Sequence, residues 1–301
     1  MMEAATAEIQ SARAITVREK LAAYFELTKP RIAVLLVMTS AAGFYVGRRE
    51  NFDVLLFINS MVGIALLAFG VATLNQYIER FIDVLMARTA SRPLPTGKIS
   101  PNEALVFGVL QCVAAEIYLW VLVNPLTAVL GLTVIIGYVL LYTPLKTRTT
   151  ACTAIGAIPG AMPPLMGWTA ATGDITLGAW ALFATQFLWQ FPHFLAIAWI
   201  YRDEYANAGI KMLPAVEPSG DLTARQILVF TIMLVPVSLA PFFLQFAGLI
   251  YLIGALVLGI WFLWKSILAA RLKTNEAARQ LLIASVIYLP LLFILLVIDR
   301  R

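Results

Sequence analysis

Charge is scarce in this chain. Asp, Glu, Lys and Arg together make up 13% of its 301 residues, about half the share found in soluble domains. With 61% hydrophobic residues and a mean hydropathy of +0.85, that scarcity excludes a water-soluble globular enzyme. There is one histidine, His193, and there are two cysteines, Cys112 and Cys152. Neither CxxC nor paired-histidine spacing is present, which excludes a zinc module and a disulfide framework. Both cysteines fall within apolar runs and read as packing residues. The first 26 residues contain no continuous apolar stretch ahead of a small-residue cleavage site, so they do not read as a signal peptide. The basic residues are dispersed among short loops rather than gathered into a patch. Nucleic acid is therefore not the expected partner.

Long apolar runs dominate what remains. Stretches long enough to cross a bilayer fall at 31–47, 54–75, 103–123, 126–143, 151–171, 177–200, 226–246, 248–268 and 281–298. The expected fold is all-α and polytopic, with nine transmembrane helices around a central cavity. An odd number of spans puts the termini on opposite sides. With the N-terminus inside, every basic residue except Arg48, Arg49, Arg300 and Arg301 lies on the cytoplasmic side, which sets that orientation by the positive-inside rule. Residues 1–26, with Glu3, Glu8, Arg13, Arg18, Glu19, Lys20 and Glu26, form a cytoplasmic N-terminal segment, and 27–301 a single transmembrane domain. The three loops richest in polar chemistry, 80–102, 144–150 and 201–225, share the cytoplasmic face. Acid pairs at 79 and 83 and at 203 and 204, each at a span end, hint at an internal duplication.

Asn75, Glu79 and Asp83 recur at i, i+4 and i+8, followed by Arg88, Arg92 and Pro93. Each four-residue step drifts by only about 40°, so the three polar ends share one helix face over roughly 12 Å. Carboxylates on such an edge suit Mg²⁺, which borrows further oxygen ligands from a substrate's phosphates. Arg88 and Arg92 suit the phosphates themselves. A capping and salt-bridge edge, with Glu79 pairing Arg80 or Asp83 pairing Arg88, is the structural alternative. Asp203, Glu204 and Tyr205 form a second acidic edge ahead of Gly209 and Pro214, which is either a second metal-diphosphate site or a solvated helix end. Tyr142 and Lys146 stand at i and i+4 where the fourth span ends. They can meet a leaving phosphate oxygen or serve as an interfacial anchor. His193 follows Pro192 within the sixth span, as a ligand or as a hydrogen-bonder to a neighbouring helix. Gln111 and Glu116 lie inside the third span, where polar groups are costly unless they face the interior.

These residues resemble the UbiA-type intramembrane prenyltransferases and, within them, the protohaem IX farnesyltransferases. The resemblance runs from Leu27-Thr28-Lys29-Pro30-Arg31 through the last span. Its most specific parts are Asn75-x3-Glu79-x3-Asp83-x2-Met86-x-Arg88-Thr89-x2-Arg92-Pro93, Tyr142-Thr143-Pro144-Leu145-Lys146, Trp189-Gln190-x-Pro192-His193 and Asp203-Glu204-Tyr205-x2-Ala208-Gly209-x2-Met212-Leu213-Pro214. The first of these alone indicates the superfamily, and Pro192-His193 and Tyr205-x2-Ala208-Gly209 indicate the haem branch. Glu79 stands where many members have Asp, and the second acidic edge lacks the common Asp-x3-Asp spacing.

The resemblance implies farnesyl transfer from farnesyl diphosphate to the 2-vinyl group of haem B in the cell inner membrane, with the active face cytoplasmic and a haem A synthase as a candidate partner. It gives Asn75, Glu79, Asp83, Tyr142 and Lys146 catalytic roles. Mg²⁺ goes to Glu79, Asp83, Asp203 and Glu204, and substrate to Arg88, Arg92, Arg31, His193, Asp203, Glu204 and Tyr205. Lys29 joins Arg31 as a candidate partner of haem propionates or diphosphate. Prenyl transfer to an aromatic acid in quinone synthesis is the alternative within the superfamily. A cation-coupled transporter is the alternative outside it, though it would set its acids near mid-membrane.

Overall fold

The structure, a computed structural model, describes residues 15–48 and 51–301. Glu3, Glu8, Arg13 and Arg49, which entered the sequence reading above, lie outside the described residues. In chain order the helices are α1 (Val17–Leu27), α2 (Pro30–Gly47), α3 (Val54–Asp83), α4 (Pro101–Leu122) and α5 (Pro125–Leu145). The chain continues with α6 (Cys152–Gly160), α7 (Met162–Thr172), α8 (Leu177–Ile200), α9 (Arg202–Asn207) and α10 (Leu213–Val216). It ends with α11 (Asp221–Phe243), α12 (Leu249–Leu272) and α13 (Asn275–Ile298). Among the described residues the only β pairing is an isolated bridge between Ala247 and Arg300.

An all-helical solution follows from the composition. In hydrocarbon every backbone N–H and C=O must bond within the chain, and a helix does so locally. Polar punctuation sets the ends. Asp53 caps α3 through Leu56 N at 2.9 Å, Ser100 and Glu103 form a capping box on α4, and Asn124 caps α5 through Thr127 N at 2.8 Å. Outward faces stay apolar: Leu110, Ile117, Val257 and Ile260 are all exposed. A soluble protein does not leave such a surface uncovered.

Among the described residues seven helices are long and apolar enough to cross a membrane: α2, α3, α4, α5, α11, α12 and α13. The expected spans 151–171 and 177–200 fall on α6–α7 and on α8, which do not meet that description. The first is broken at Ala161, and the second carries Gln186, Gln190, Pro192 and His193 among its apolar residues. α3 runs on past the apolar run to Asp83, as one shared helix face for Asn75, Glu79 and Asp83 requires, and α5 contains a π-helical stretch over Ile136–Tyr142 that the apolar pattern did not announce.

Small residues let the helices approach closely. A Cβ on Gly167 would lie 1.9 Å from the Ser40 carbonyl oxygen, and one on Gly43 2.1 Å from that of Pro164. Only glycine permits this crossing of α2 and α7, the packing style of helices that gain no hydrophobic drive from lipid. Cys112 and Cys152 are both buried free thiols, in keeping with a packing role.

Candidate active site

The last three turns of α3 carry the polar edge read from the sequence. Asn75 is 1% exposed, Glu79 8% and Asp83 0%. A carboxylate taken so far from water is tolerated only with a partner, and each rung meets a basic side chain from a different part of the chain. At Asn75, Lys29 Nζ donates to Oδ1 at 2.7 Å from the α1–α2 junction. One turn on, Lys146 Nζ reaches Glu79 Oε1 at 2.5 Å from the end of α5. At the third rung Arg92 Nη1 donates to both Asp83 oxygens at 2.7 Å. This is a ladder of three anchored basic side chains facing two carboxylates and an amide.

Local structure fixes each rung. Asn75 Nδ2 donates to Thr143 Oγ1 at 3.2 Å, and that hydroxyl in turn donates to the Tyr138 carbonyl at 2.8 Å. The π-helical stretch of α5 brings the Tyr138 and Tyr142 rings to 4.9 Å, and Lys146 Nζ lies 4.5 Å from the Tyr142 ring centroid. Tyr142 fits because residue 156 is glycine: a Cβ there would come within 2.4 Å of the ring. Next to Asn75, Gln76 Nε2 donates to the Leu27 carbonyl at 3.0 Å and holds the α1–α2 junction over α3. Lys29 itself adopts a left-handed conformation, φ 48° and ψ 58°. Pro30 disfavours the ordinary helical region for the residue before it, and a non-glycine residue held this way is strained.

The electrostatics favour an anion. Burial pushes the Lys29 ammonium down to about 7, and the nearby Arg92 charge adds to the effect. Burial also opposes the charge on Lys146, but Glu79 beside it more than compensates and holds its pKa well above the ordinary lysine value. A polyanion placed between these groups would meet the Lys146 and Arg92 side chains already oriented and would favour the protonated form of Lys29, an arrangement that stabilises a departing phosphate.

The second acidic edge is only partly assembled with the first. Glu204 Oε2 accepts from the Arg88 backbone N–H at 3.5 Å, and Arg88 Nη2 donates to Tyr205 OH at 3.4 Å. The Arg88 guanidinium also lies 5.2 Å from the Tyr201 ring centroid. Lys211 N donates to the Lys146 carbonyl at 2.6 Å, tying this loop to the end of α5. Asp203 is exposed. Among the described residues no three acidic, His or Cys side chains come close enough to hold a metal ion by themselves. Arg31 is exposed on the first turn of α2 and is not part of the ladder.

His193 lies away from the edge, on α8. Its Nδ1 meets Ser285 Oγ at 2.7 Å, and its ring stacks on Trp189 at 4.6 Å. Trp189 Nε1 in turn donates to the Ser285 carbonyl at 2.8 Å. Gln111 Oε1 accepts from Thr73 Oγ1 at 3.2 Å, which binds α4 to α3. Glu116 lines a groove of about 290 Å³ with Trp120 and Leu132. Sequence reasoning gave no role to Gln76 or Tyr138 and named Thr143 only as a member of the Tyr142–Lys146 motif. Gln76 carried a signal as a second amide inside an apolar run, whereas a tyrosine in such a run carries none.

The chain matches the UbiA prenyltransferase family over residues 36–296. It is 48% identical over 286 residues to a protoheme IX farnesyltransferase of Solibacter usitatus, covering 92% of this chain and 98% of that one. It is 46% identical over 287 residues to one of Koribacter versatilis, covering 92% and 93%. Among solved structures it resembles a digeranylgeranylglyceryl phosphate synthase at TM-score 0.79 and 18% identity, with 93% and 98% of the chains covered. It also resembles a UbiA homologue of Archaeoglobus fulgidus bound to GPP and Mg²⁺, at TM-score 0.67 and 18% identity, with 91% and 99% covered. At such identities the structural likeness speaks for the fold.

Proposed function

The chain belongs to the UbiA prenyltransferase family, and from that premise we propose that it transfers the farnesyl group of farnesyl diphosphate to the 2-vinyl group of protohaem IX. Water adds at the vinyl carbon, and the products are haem O and diphosphate. The observation that carries the donor half is the buried ladder on α3, where Lys29, Lys146 and Arg92 each meet one rung of Asn75, Glu79 and Asp83. The acceptor half rests on the relatives, which share 40–48% identity with this chain and are protoheme IX farnesyltransferases.

In this reading the diphosphate settles among Lys29, Arg92 and Lys146, with Arg88 at the rim. The donor set fits Mg²⁺, which takes one or two carboxylates and completes its shell with phosphate oxygens and water. Glu79 and Asp83 would hold it, with Asp203 and Glu204 approaching from the second edge. When bound, Mg²⁺ neutralises charge on the departing diphosphate. Asn75 and Thr143 keep Lys29 and the α5 end in register, and Tyr142 shields Lys146 from water. As the allylic C–O bond breaks, Lys146 and Arg92 stabilise the negative charge left on oxygen. The apolar helix walls exclude water from the prenyl cation until the electron-rich vinyl group attacks it.

We place the ladder on the cytoplasmic side of the inner membrane, with the N-terminus inside and nine spans, α6–α7 counted as one and α8 as another. The basic loops favour that orientation. The product suits a haem A synthase as the next enzyme.

His193 is assigned to the acceptor. Ser285 engages its Nδ1, which leaves Nε2 for haem iron or a polar haem edge. His193→Ala is expected to weaken haem binding several-fold, read from the Soret band on titration with haem B. Unchanged binding together with unchanged turnover would remove His193 from the site.

The acceptor is tested by measuring diphosphate release from farnesyl diphosphate and Mg²⁺ with haem B alone or with a phenolic acid alone. Release that depends on haem B is expected. Release that depends only on the phenolic acid would make this a quinone-type prenyltransferase.

A further inference from the structure

Helix α1 presents three faces. At 100° per residue, Ala23 and Leu27 point one way and are 2% and 0% exposed. They pack with Leu94, Ile99 and Ala104. Roughly 120° around the helix lies a second face of Val17, Leu21 and Phe25, which are 78%, 65% and 64% exposed. Arg18, Ala22 and Glu26 occupy the third, also exposed. A helix standing free in water gains nothing from an apolar stripe beside its polar one. A helix lying in a membrane interface requires both.

The packing fixes its height. Tyr24 meets the Phe107 ring at 4.9 Å centroid to centroid, edge to face, and Lys20 Nζ reaches Glu103 Oε1 at 2.5 Å. Glu103 is in the first turn of α4, and Phe107 lies six residues after Pro101, about 9 Å along the axis. α1 therefore rests against the flank of a spanning helix at the depth of its first two turns, and not above its end. On α4 the exposed residues Val106 and Leu110 continue the apolar surface from that depth into the bilayer.

We propose that α1 is an interfacial helix that lies in the lipid headgroup region of the leaflet bordering the Asn75–Asp83 edge, with Val17, Leu21 and Phe25 inserted among the acyl chains. The partner is the lipid surface, recognised through the apolar stripe. The Gln76 bonds to the Glu26 and Leu27 carbonyls, at 3.4 and 3.0 Å, join this docked helix to α3. The residue that follows it within two positions, Lys29, is the one on Asn75. Lipid docking of α1 thus steadies one wall of the site. The inference does not depend on which prenyl acceptor the protein uses.

The test places a nitroxide on single cysteines at Leu21, Phe25, Ala22 and Glu26 in the full-length protein, in phosphatidylethanolamine–phosphatidylglycerol vesicles. The buried Cys112 and Cys152 are left in place. Collision with oxygen, which concentrates in the bilayer, is compared with collision with a water-soluble nickel chelate. At Leu21 and Phe25 the oxygen-to-nickel ratio is expected to exceed that at Ala22 and Glu26 several-fold. Equal ratios at all four positions would place the helix in water and overturn the proposal. Labels at Leu21 and Phe25 shielded from both reagents would show protein, such as a second copy of the chain, on the stripe, and would overturn it equally.

Discussion

Asp83→Asn is expected to lower farnesyl transfer by about 10²–10³-fold, the effect of removing one preorganised electrostatic group at a centre of developing charge. Asp83 is fully buried at the end of α3, and its two oxygens accept from Arg92 at 2.7 Å. The amide keeps the shape and one acceptor, so Arg92 retains a partner and the fold is expected to persist. What disappears is the charge that would hold Mg²⁺ against the diphosphate. The Mg²⁺ concentration for half-maximal turnover should therefore rise along with the loss in kcat. Initial rates over a Mg²⁺ series at saturating farnesyl diphosphate check this. A wild-type Mg²⁺ dependence in the variant would remove Asp83 from the metal site.

Lys146→Met separates structure from chemistry at the second rung. Glu79 has Lys146 Nζ at 2.5 Å, with its side chain 10% exposed, so the variant leaves a buried carboxylate without its ion-pair partner. Breaking a buried pair from one side costs about 3–5 kcal/mol, which should show as a marked fall in Tm in detergent. Glu79→Gln added to Lys146→Met is expected to restore most of the stability, because the uncompensated charge is gone. It should not restore farnesyl transfer, because the diphosphate still lacks its lysine. A double variant that regained activity would give Lys146 a purely structural role.

The site's edge was legible because a four-residue polar repeat inside an apolar run has few uses, and Asn75, Glu79 and Asp83 do share one buried face. Their partners were harder to read. The alternatives drawn from sequence neighbours paired Glu79 with Arg80 and Asp83 with Arg88. The helix instead turns Arg80 toward the Tyr77 carbonyl, and the loop brings Arg92 round to Asp83. Lys146 reaches Glu79 across 67 positions, and Lys29 reaches Asn75 across 46. Such contacts depend on helix packing, which no local pattern encodes. The π-helical stretch over Ile136–Tyr142 was also invisible, since its sequence is a plain apolar run. At the fold level the apolar runs located the helices, and the break at Ala161 falls between Pro159 and Pro163, inside the stretch from Gly156 to Gly167 whose glycines and prolines mark a bend or close packing. The sequence left open whether Asp203, Glu204 or both belong to the second acidic edge; in α9 Asp203 is exposed, while Glu204 turns to Arg88.

The central claim is that the ladder on α3 drives prenyl transfer to haem. Its most direct test incubates the purified protein in lipid with haem B, farnesyl diphosphate and Mg²⁺ and determines the mass of the extracted haem. The account predicts a haem carrying one farnesyl group and one water, absent when EDTA removes the metal and in Asp83→Asn. Haem B recovered unmodified by the wild-type protein, with or without diphosphate release, would contradict it.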